Sequence, residues 1–418
     1  MTRGTVYHAA QQVDPATLYR LPWTAADNAM TWLEPTRKCN MSCDACFAVN
    51  DPHSQKSLEQ IRTELRTMLR IRRCDAMLIA GGEPLTHPGI VDIVRMTKSE
   101  GVKPVIFTNG LALDRPLLRD LKKAGVFGFT FHVDAHQTRP GWSGKNEKEL
   151  NELRTSLADM VFDQGGLTCA FNMTMFPDTL AWVPDIVAWA IRRPDRVHTI
   201  TFVCVRMANP DGPFGFYAGG ASVDFGVTPY VTDTRVEDLT SGDITAQIQH
   251  VIPDFRFSAF LGGTVRPDSL KWAIGLHFCS SRRSYGSGGA RMMEIVQTVH
   301  HAFTGRYLGY ANPKASRQGK LSLVLSVVDP EVRRTARRYA FAVLRRPTEF
   351  FRKLYVQNIC VIQPTDILPN GEMDTCDGCP NKTYWEGTLV SSCRLEEYRL
   401  FGCPVQAAPR TKERWEQA

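Results

Sequence analysis

The sequence predicts an α/β fold built on a parallel sheet, and two observations support this. Between about residues 30 and 210, short apolar runs alternate with stretches of helical spacing, which gives six β/α units. Such alternation implies parallel strands joined by right-handed crossovers. A complete (β/α)8 barrel needs about 250 residues, and this region stops at six units, so we expect a shorter, incomplete arrangement.

The first predicted strand is Met30 to Pro35, which leads into a loop rich in cysteine. The next segment, residues 57–73, has Leu58, Ile61 and Leu65 on one side and Ser57 as a helix cap. The remaining strands are expected at 76–80, 105–107, 127–133, 167–175 and 197–206, and the remaining helices at 90–100, 117–124, 147–163 and 182–192. We divide the chain into a lead-in (1–29), the β/α region (30–210), a substrate-binding insertion (211–357) and a cysteine-rich region (358–418).

Composition narrows the class of protein. The 418 residues are enough for two or three domains, and 43% apolar with 22% charged residues is typical of a soluble globular protein. The net charge of +7 favours an anionic partner, although a solvated basic surface is the alternative. No apolar run approaches the length of a membrane span. Twelve cysteines without an apolar leader predict a cytoplasmic protein that uses thiols to bind metal.

The loop after the first strand has three cysteines, Cys39, Cys43 and Cys46, at spacing C-x3-C-x2-C. Three thiolates on so short a loop suit one soft metal centre. A [4Fe–4S] cluster usually takes four cysteines, so three would leave one iron open for a further ligand. A structural zinc loop is the alternative.

A second motif, Gly81-Gly82-Glu83-Pro84, ends the next strand. Two glycines let the backbone come close to a ligand, and Pro84 restricts the exit from the turn. A plain turn is the alternative. The two motifs together, with Phe47 directly after the last cysteine of the loop, resemble the radical S-adenosylmethionine (radical SAM) superfamily.

That resemblance implies a partial (β/α)6 TIM-like barrel over about residues 30–210. It implies that Cys39, Cys43 and Cys46 hold a [4Fe–4S] cluster whose open iron binds the amino and carboxylate groups of S-adenosylmethionine. The backbone of Gly81 to Pro84 would contact the methionine amino group. Reductive cleavage would then produce a 5′-deoxyadenosyl radical that takes a hydrogen atom from a substrate.

Other strand ends carry candidates for the ribose and the substrate. The side chains there that can form hydrogen bonds are Thr108, Asn109, Asp134 and Asn172. The family uses polar residues near its fourth and fifth strands for the ribose, so we select Asp134 and Asn172, with capping or turn roles as the alternative. His132 and His136 flank Asp134, and we expect structural roles for them.

A second cysteine group lies near the C-terminus. Cys360, Gly371 and Cys376 form a C-x10-G-x4-C stretch that resembles the start of SPASM and twitch extensions, which carry auxiliary iron–sulfur clusters. We therefore expect an auxiliary [4Fe–4S] cluster, and its predicted ligands are Cys360, Cys376, Cys379 and Cys393. A zinc or mononuclear iron site is the alternative. Cys403 is spare. Cys279, like Cys74, Cys169 and Cys204, is interpreted as a free thiol, with metal ligation by Cys279 left open.

Residues 331–357 are basic and predicted to be helical. Five arginines (Arg333, Arg334, Arg337, Arg338 and Arg345) fall on one side, and an apolar set from Val332 to Leu344 falls on the other. Pro347 ends this helix, and a second is expected over Thr348 to Val356. Such a helix can lie on an anionic membrane; the alternative is a helix that packs on the core and leaves its basic side in solvent.

These features together predict a radical SAM enzyme. A more distant similarity to archaeal tetraether lipid synthases, with the basic segment, favours a lipid or lipid-like substrate. The alternatives are maturation of a ribosomal peptide or small natural product and, outside catalysis, an iron–sulfur or zinc regulator. The expected partners are a small-molecule or lipid substrate, a reductant such as flavodoxin or ferredoxin, and a peripheral membrane contact, without nucleic acid.

Overall fold

The protein is described by a computed structural model over residues 13–209, 212–228 and 238–410. Residues 1–12 of the predicted lead-in, residue 210 of the β/α region, residues 211 and 229–237 of the predicted insertion and residues 411–418 of the predicted cysteine-rich region lie outside this description. The strands are β1 Tyr19–Arg20, β2 Met30–Thr36, β3 Ala76–Gly81, β4 Lys103–Thr108, β5 Gly128–His132, β6 Thr168–Met175, β7 Thr199–Cys204, β8 Phe214–Ala218, β9 Ala221–Ser222, β10 Ala259–Leu261, β11 Trp272–Ser280, β12 Arg283–Gly288, β13 Tyr355–Ile362, β14 Asp366–Ile367, β15 Met373–Asp374, β16 Lys382–Trp385, β17 Thr388–Ser391 and β18 Gln406–Pro409.

The helices are α1 Leu58–Ile71, α2 Ile90–Ser99, α3 Arg115–Ala124, α4 Asn151–Gln164, α5 Val183–Ile191, α6 Ser241–Gln249, α7 Ala290–Thr304, α8 Pro313–Ser316, α9 Gly319–Ser322, α10 Pro330–Arg345 and α11 Leu395–Phe401. Two 3₁₀ segments, Leu323–Val327 and Pro347–Phe351, flank α10. No helix among the described residues is both long and apolar enough to cross a bilayer.

Strands β2 to β7 form a parallel sheet in sequential order, and α1 to α5 connect them one after another. This is the predicted partial (β/α)6 barrel, and the prediction is confirmed. Strand side chains alternate between two apolar layers. Ile79 and Phe129 pack beneath the helices, whereas Trp32, Leu78 and Phe107 belong to the layer on the other side of the sheet, which is the inner one.

The main sheet continues past residue 210. Strand β13 pairs in parallel with β7, and β11 pairs antiparallel with β13. Strands β10 and β1 extend the sheet beyond β11, and β12 pairs with β11 as a hairpin. Part of the segment expected to form a separate insertion therefore supplies strands to the same sheet as the β/α units.

Two predicted elements differ from the structure by more than two residues. Helix α4 begins at Asn151, because Glu147 lies in the preceding turn, where its buried carboxylate pairs with Arg154. The predicted helix over Thr348 to Val356 is wrong, since a short 3₁₀ turn ends at Phe351 and β13 begins at Tyr355. A strand at that place satisfies its backbone on both sides by pairing with β11 and β7, which a short helix could not do.

The cysteine-rich region packs against the segment that leads into the first barrel strand. A Cβ atom on Gly378, whose φ is +68°, would lie 2.0 Å from the carbonyl oxygen of Trp23, so only glycine permits this approach. The Asn28 amide donates to the Gly378 carbonyl at 2.9 Å, and Arg72 Nη1 donates to the Cys379 carbonyl at 3.0 Å. These contacts anchor the second cysteine group to the base of the barrel.

Candidate functional site

The three cysteines of the first loop follow β2 and lie close enough for their thiols to influence one another. Burial, the nearby Asp134 carboxylate and the thiols of Cys46 and Cys39 together raise the pKa of Cys43. Three adjacent thiolates repel one another unless a cation lies between them. Iron bound by the thiolates would be that cation. The three thiols therefore fit the cluster that the sequence predicts.

The loop is held in shape by the segment that follows β5. Residues Cys43 and Gln137 form an antiparallel bridge. The Asp44 amide donates to the His136 carbonyl at 2.9 Å. Between the last two cysteines, Ala45 adopts φ +54°, a left-handed conformation that costs a non-glycine residue about 1–2 kcal/mol. The surrounding contacts impose that turn, so the loop has a defined shape.

The two glycines after β3 pack against the beginning of the same loop. A Cβ atom on Gly82 would lie 2.4 Å from the Lys38 carbonyl oxygen, and one on Gly81 would lie 2.4 Å from that of Thr36. The Gly82 amide donates to the Thr36 carbonyl at 2.9 Å, and the Glu83 amide donates to that of Lys38 at 2.8 Å. The close backbone approach inferred from the two glycines is therefore made, within the described residues, to the cysteine loop itself.

Glu83 is fully buried and joins two strand ends. Its carboxylate accepts hydrogen bonds from the Thr108 hydroxyl at 2.6 Å, the Asn109 amide at 2.7 Å and the Leu85 amide at 3.0 Å. Burial raises its pKa, and these hydrogen bonds oppose that shift. Pro84 follows as the first residue of a short 3₁₀ turn that Glu83 caps.

Asn109 extends this connection to the cysteines. Its side-chain nitrogen donates to Asn40 Oδ1 at 2.7 Å and lies 4.0 Å from the sulfur of Cys39. The structure thus links the Gly81–Pro84 motif, the end of β4 and the cysteine loop through one polar chain. Thr108 and Asn109 support the loop in this arrangement.

Asp134 is buried and bonded on several sides. One carboxylate oxygen lies 2.8 Å from His132 Nε2 and accepts from the Thr174 amide at 3.1 Å. The other oxygen accepts from the His136 amide at 3.2 Å. Burial favours the neutral acid, but His132 and the Thr174 amide outweigh it and lower the pKa of Asp134. Asp134 therefore stays ionised and orients its neighbours.

Asn172 differs from the other candidates because its amide is free. It lies on β6 opposite His132, in register with Thr201 of β7. The residue is 9% exposed, and its side-chain amide forms no hydrogen bond within the described parts of the chain. A buried amide without a partner has hydrogen-bonding capacity left for a ligand.

One residue absent from the sequence prediction lies in the same place. Arg139 is 3% exposed, and its Nη2 donates to the His132 carbonyl and to Gln137 Oε1, both at 3.1 Å. Its Nε is buried and has no hydrogen-bond partner among the residues that the structure describes. Burial lowers the pKa of Arg139, while the nearby Cys43, Asp134 and Glu83 oppose that shift. No motif marks this position; the only sequence signal is a charged residue soon after a strand end.

The second cysteine group brings three of its four predicted members together. The Cys376 thiol donates to the sulfur of Cys379, which, despite burial, lowers the pKa of Cys379 to about 7. The proximity of Cys379 raises the pKa of Cys393 beyond what burial alone does. Fully buried Lys271 approaches Cys376 and holds ion pairs with Asp366 at 2.5 Å and Asp374 at 3.3 Å.

Cys360 lies elsewhere. It sits within β13 between Thr201 of β7 and Ile274 of β11, and its thiol bonds the Thr201 hydroxyl. Its neighbours Ile359 and Val361 pack beneath the helices, so strand alternation places Cys360 on the inner side of the sheet. The structure therefore does not bring this thiol into the group of Cys376, Cys379 and Cys393.

The remaining cysteines are free thiols. Those that are buried are Cys74, Cys169, Cys204 and Cys279. Cys403 is half-buried and packs against the small apolar cluster of Phe216 and Val405. Across residues 13–209, 212–228 and 238–410, no group of three His, Cys, Asp or Glu side chains has the arrangement of a site for a single metal ion.

Residues 33–190 match the family described as the Radical SAM superfamily. The chain is 30% identical over 143 residues to a GTP 3′,8-cyclase of Chlorobaculum tepidum, covering 34% of this chain and 43% of that protein. It is 36% identical over 86 residues to an S-adenosylmethionine-dependent nucleotide dehydratase of Selenomonas ruminantium, covering 21% and 31%. It is 27% identical over 135 residues to an AdoMet-dependent heme synthase of Methanosarcina barkeri, covering 30% and 38%. The chain thus spans less than half the length of these curated relatives.

Solved structures that match part of this chain include Streptococcus suis SuiB bound to precursor peptide SuiA. That comparison has a TM-score of 0.35 at 15% identity and covers 43% of this chain and 40% of that one. Another is anSMEcpe with bound AdoMet and Cp18Cys peptide, at a TM-score of 0.35 and 14% identity, covering 54% and 58%.

Proposed function

Residues 33–190 form a radical SAM domain, and from this premise we propose that the protein reductively cleaves S-adenosylmethionine and abstracts a hydrogen atom from a substrate. One observation carries the proposal. The three-cysteine loop and the Gly81–Pro84 motif are joined at the carboxyl ends of β2 and β3 by hydrogen bonds from Gly82 and Glu83. Chemistry in barrels of β/α units sits at that end of the strands.

We assign the roles of the site as follows. Cys39, Cys43 and Cys46 would hold a [4Fe–4S] cluster, which supplies one-electron chemistry to bound S-adenosylmethionine. The buried carboxylate of Glu83 holds the loop in place through Asn109. The side-chain amide of Asn172, which forms no hydrogen bond among the described residues, would bind the ribose hydroxyls.

Arg139 is the group best suited to an anion at this site. A buried guanidinium with an unpartnered Nε requires an acceptor, and a carboxylate provides one with favourable charge. We assign it the carboxylate of the methionine moiety. The carboxylates of Asp134 and Glu83 are already bonded by neighbouring donors, so they leave this guanidinium available.

The second cysteine group is proposed to hold an auxiliary cluster that serves turnover. Cys376, Cys379 and Cys393 would supply three thiolates, and the predicted fourth ligand, Cys360, would need to leave its place in β13 to join them. With three protein ligands, one iron of such a cluster is open to substrate. A cluster ligand role for Lys271 is excluded by its ion pairs, and its charge stabilises the adjacent thiolates.

For the substrate, the first candidate is a lipid or lipid-like molecule processed by a cytoplasmic protein that touches a membrane peripherally. The support is the basic segment around α10, whose net charge is positive. The second candidate is a peptide or small molecule. The names of the nucleotide- and haem-related relatives, and the peptide bound to SuiB, support it. A reductant such as flavodoxin or ferredoxin would deliver the electron.

An anaerobic assay tests the chemistry. Reconstituted protein is incubated with S-adenosylmethionine and reductant, and 5′-deoxyadenosine is measured by mass spectrometry together with extracted lipids and small molecules. Replacing Cys39, Cys43 and Cys46 by Ala should remove about half of roughly eight irons and abolish 5′-deoxyadenosine.

The matched control makes the same change to Ala at Cys169 and Cys279. Burial alone raises the pKa values of these two thiols. That variant should retain both iron and cleavage. Cleavage that persists in the triple variant would contradict the proposal. A wild-type protein that binds iron but does not cleave S-adenosylmethionine would instead favour the alternative of a regulatory iron–sulfur or zinc protein.

A further inference from the structure

The net positive charge of the chain is found in one segment, residues 317–353. This segment contains ten of the fifty Lys and Arg residues and three of the forty-three Asp and Glu residues, so its net charge is +7. The remaining forty basic and forty acidic residues cancel, and the net charge of the whole chain is also +7. The rest of the protein is therefore neutral overall. Segment 317–353 is thus the part of the chain whose charge best suits an anionic partner.

Only part of the apolar side of α10 faces solvent. Val332, Thr335 and Ala342 are buried, and α10 packs against β12, where the Thr335 hydroxyl donates to the Ser287 carbonyl at 3.0 Å. Part of the apolar face that the sequence suggested for a membrane thus belongs to the protein core, whereas Leu344 of the same face is exposed. The helix contributes to the surface the exposed Leu344 and the neighbouring basic side, where Arg337 is exposed.

The segment nevertheless exposes a concentration of large apolar side chains. Seventeen such side chains are exposed in the described parts of the chain, and eight of them fall between residues 321 and 351. Phe351 and Leu344 protrude most, at 84% and 80% exposure. We call these eight the apolar surface: Leu321, Val324, Val327, Val328, Phe341, Leu344, Phe350 and Phe351.

Specific contacts hold the parts of the apolar surface side by side. Lys320 of α9 donates to the Phe350 carbonyl, and its ammonium lies 5.0 Å from the centre of the Phe350 ring. Arg333 of α10 donates to the carbonyls of Ser326 and Val327 at 2.9 and 2.8 Å. The stretch from α9 to Val327 therefore runs along α10 and meets the Pro347–Phe351 turn at its far end.

Basic groups lie over the exposed rings. The Arg345 guanidinium is 4.4 Å from the centre of the Phe341 ring, and Phe350 and Phe351 form an edge-to-face pair with centroids 5.6 Å apart. Aromatic rings combined with basic side chains suit the boundary between lipid headgroups and acyl chains, because the rings enter the apolar layer while the cations stay with the phosphates.

We propose that the apolar surface and its surrounding arginines and lysines bind the face of an anionic lipid bilayer. The occupant follows from charge and shape. The segment has a net charge of +7, and each basic residue near an anionic leaflet adds to the electrostatic attraction. The apolar side chains protrude, Phe351 and Leu344 with 84% and 80% exposure, so they match a soft layer that they can enter better than the rigid surface of a protein partner.

This inference deepens the lipid hypothesis for the substrate and is independent of the radical chemistry. A protein that binds vesicles without any cofactor would support it even if S-adenosylmethionine were never cleaved. The reverse result, cleavage without vesicle binding, would overturn it and leave the chemistry standing. Each of the two proposals can therefore be contradicted without contradicting the other.

The test is co-sedimentation of the full chain with vesicles of phosphatidylcholine alone or mixed with phosphatidylserine, at low and at high salt. The wild-type protein should sediment with the anionic vesicles at low salt, and high salt should weaken this binding. Failure to bind anionic vesicles at low salt overturns the proposal, and so does equal binding to both lipid mixtures.

The variants are chosen to leave the fold intact. Arg337 and Arg346 hold no ion pair among the described residues, whereas Arg334 pairs with Glu331 at 2.8 Å and Arg338 pairs with Asp254. Arg337→Glu with Arg346→Glu should weaken binding about tenfold or more. Leu344→Ser with Phe351→Ser should do the same, through lost burial of apolar area.

The matched controls carry the same changes outside the segment. Arg62→Glu with Arg119→Glu reverses two exposed arginines on α1 and α3, and Phe303→Ser removes an apolar side chain that is 86% exposed on α7. Both controls should bind as the wild type does. If the arginine and apolar double variants of the segment bind anionic vesicles as these controls do, the proposal is overturned. Iron content and circular dichroism should be unchanged throughout.

Discussion

The buried carboxylate of Glu83 accepts a 2.7 Å hydrogen bond from the backbone amide of Asn109, whose side chain in turn donates to Asn40 in the cysteine loop. This pair joins the end of β3 to the end of β4 and, through them, to the residue next to Cys39. Glu83 thus supports the cysteine loop indirectly, through Asn109 and Asn40.

We expect Glu83→Gln to destabilise the protein by about 1–3 kcal/mol, because a buried amide cannot accept from all three donors that the carboxylate satisfies. Denaturant unfolding measures the loss. Glu59→Gln on the exposed side of α1 is the control and should change stability by less than about 0.5 kcal/mol. A Glu83 variant as stable as this control would show that the buried carboxylate is not needed.

Arg154 and Glu147 form an ion pair in which both side chains are fully buried. Arg154→Ala should cost about 3–5 kcal/mol, since it leaves the Glu147 carboxylate without its partner in a dry environment. Replacing both residues by Leu should recover much of that loss, because no isolated charge then remains. Thermal or denaturant unfolding of the wild type and the two variants provides the comparison, and equal losses in the single and double variants would contradict the argument.

Cys360 and Cys376 should respond differently to substitution. Cys376→Ser should lower the iron content of reconstituted protein by about four atoms per chain, the content of one [4Fe–4S] cluster. Cys360→Ser should leave iron unchanged, because its thiol lies in β13 beside Thr201. Iron analysis and electron paramagnetic resonance of the reduced proteins decide this. An equal loss in both variants would establish the four-ligand site that the C-x10-G-x4-C spacing predicts.

Arg139→Gln should weaken binding of S-adenosylmethionine about tenfold or more, the usual effect of losing a hydrogen bond to a charged group. Iron content should stay constant, since Arg139 bonds no cysteine in the described structure. Calorimetric titration of the reconstituted protein measures the affinity. Arg119→Gln, an exposed arginine on α3, should bind as the wild type does; if Arg139→Gln behaves the same way, the assigned role is wrong.

His136 lies between two carboxylates, with Nδ1 2.9 Å from Asp44 and Nε2 3.2 Å from Asp178. Partial burial opposes protonation, but the two carboxylates outweigh it and raise the pKa of His136. The stabilisation from these pairs is therefore fully present below the unfolded-state value of about 6.5 and is lost as pH rises through the higher folded-state value.

The expected result is a pH-dependent difference between wild type and His136→Gln. The wild type should be more stable by up to about 1 kcal/mol near pH 6, and the difference should vanish at alkaline pH. Unfolding of the apoprotein at several pH values measures it, with His250→Gln on the C-terminal cap of α6 as the control. A difference that stays constant with pH would show that protonation of His136 plays no part.

Part of the barrel and the positions of its motifs follow from the sequence alone. Periodicity within single elements is a local property, so the alternating strands and helices of residues 30–210 predicted the parallel sheet correctly. The spacing C-x3-C-x2-C and the Gly81–Pro84 motif are likewise local, and the match over residues 33–190 agrees with the family they indicated. Local patterns also led to one wrong element, the helix expected over Thr348 to Val356.

Only the tertiary structure decided how distant residues meet. Strand pairing placed Cys360 between Thr201 and Ile274, which spacing along the chain could not reveal. Packing of α10 on β12 buried Val332 and left Leu344 exposed, so only part of the apolar face seen in a helical projection is available to a partner. Arg139 carries no motif, and it becomes a candidate because burial leaves its Nε without a partner. Long-range contacts determine burial and pairing, and these depend on the whole fold.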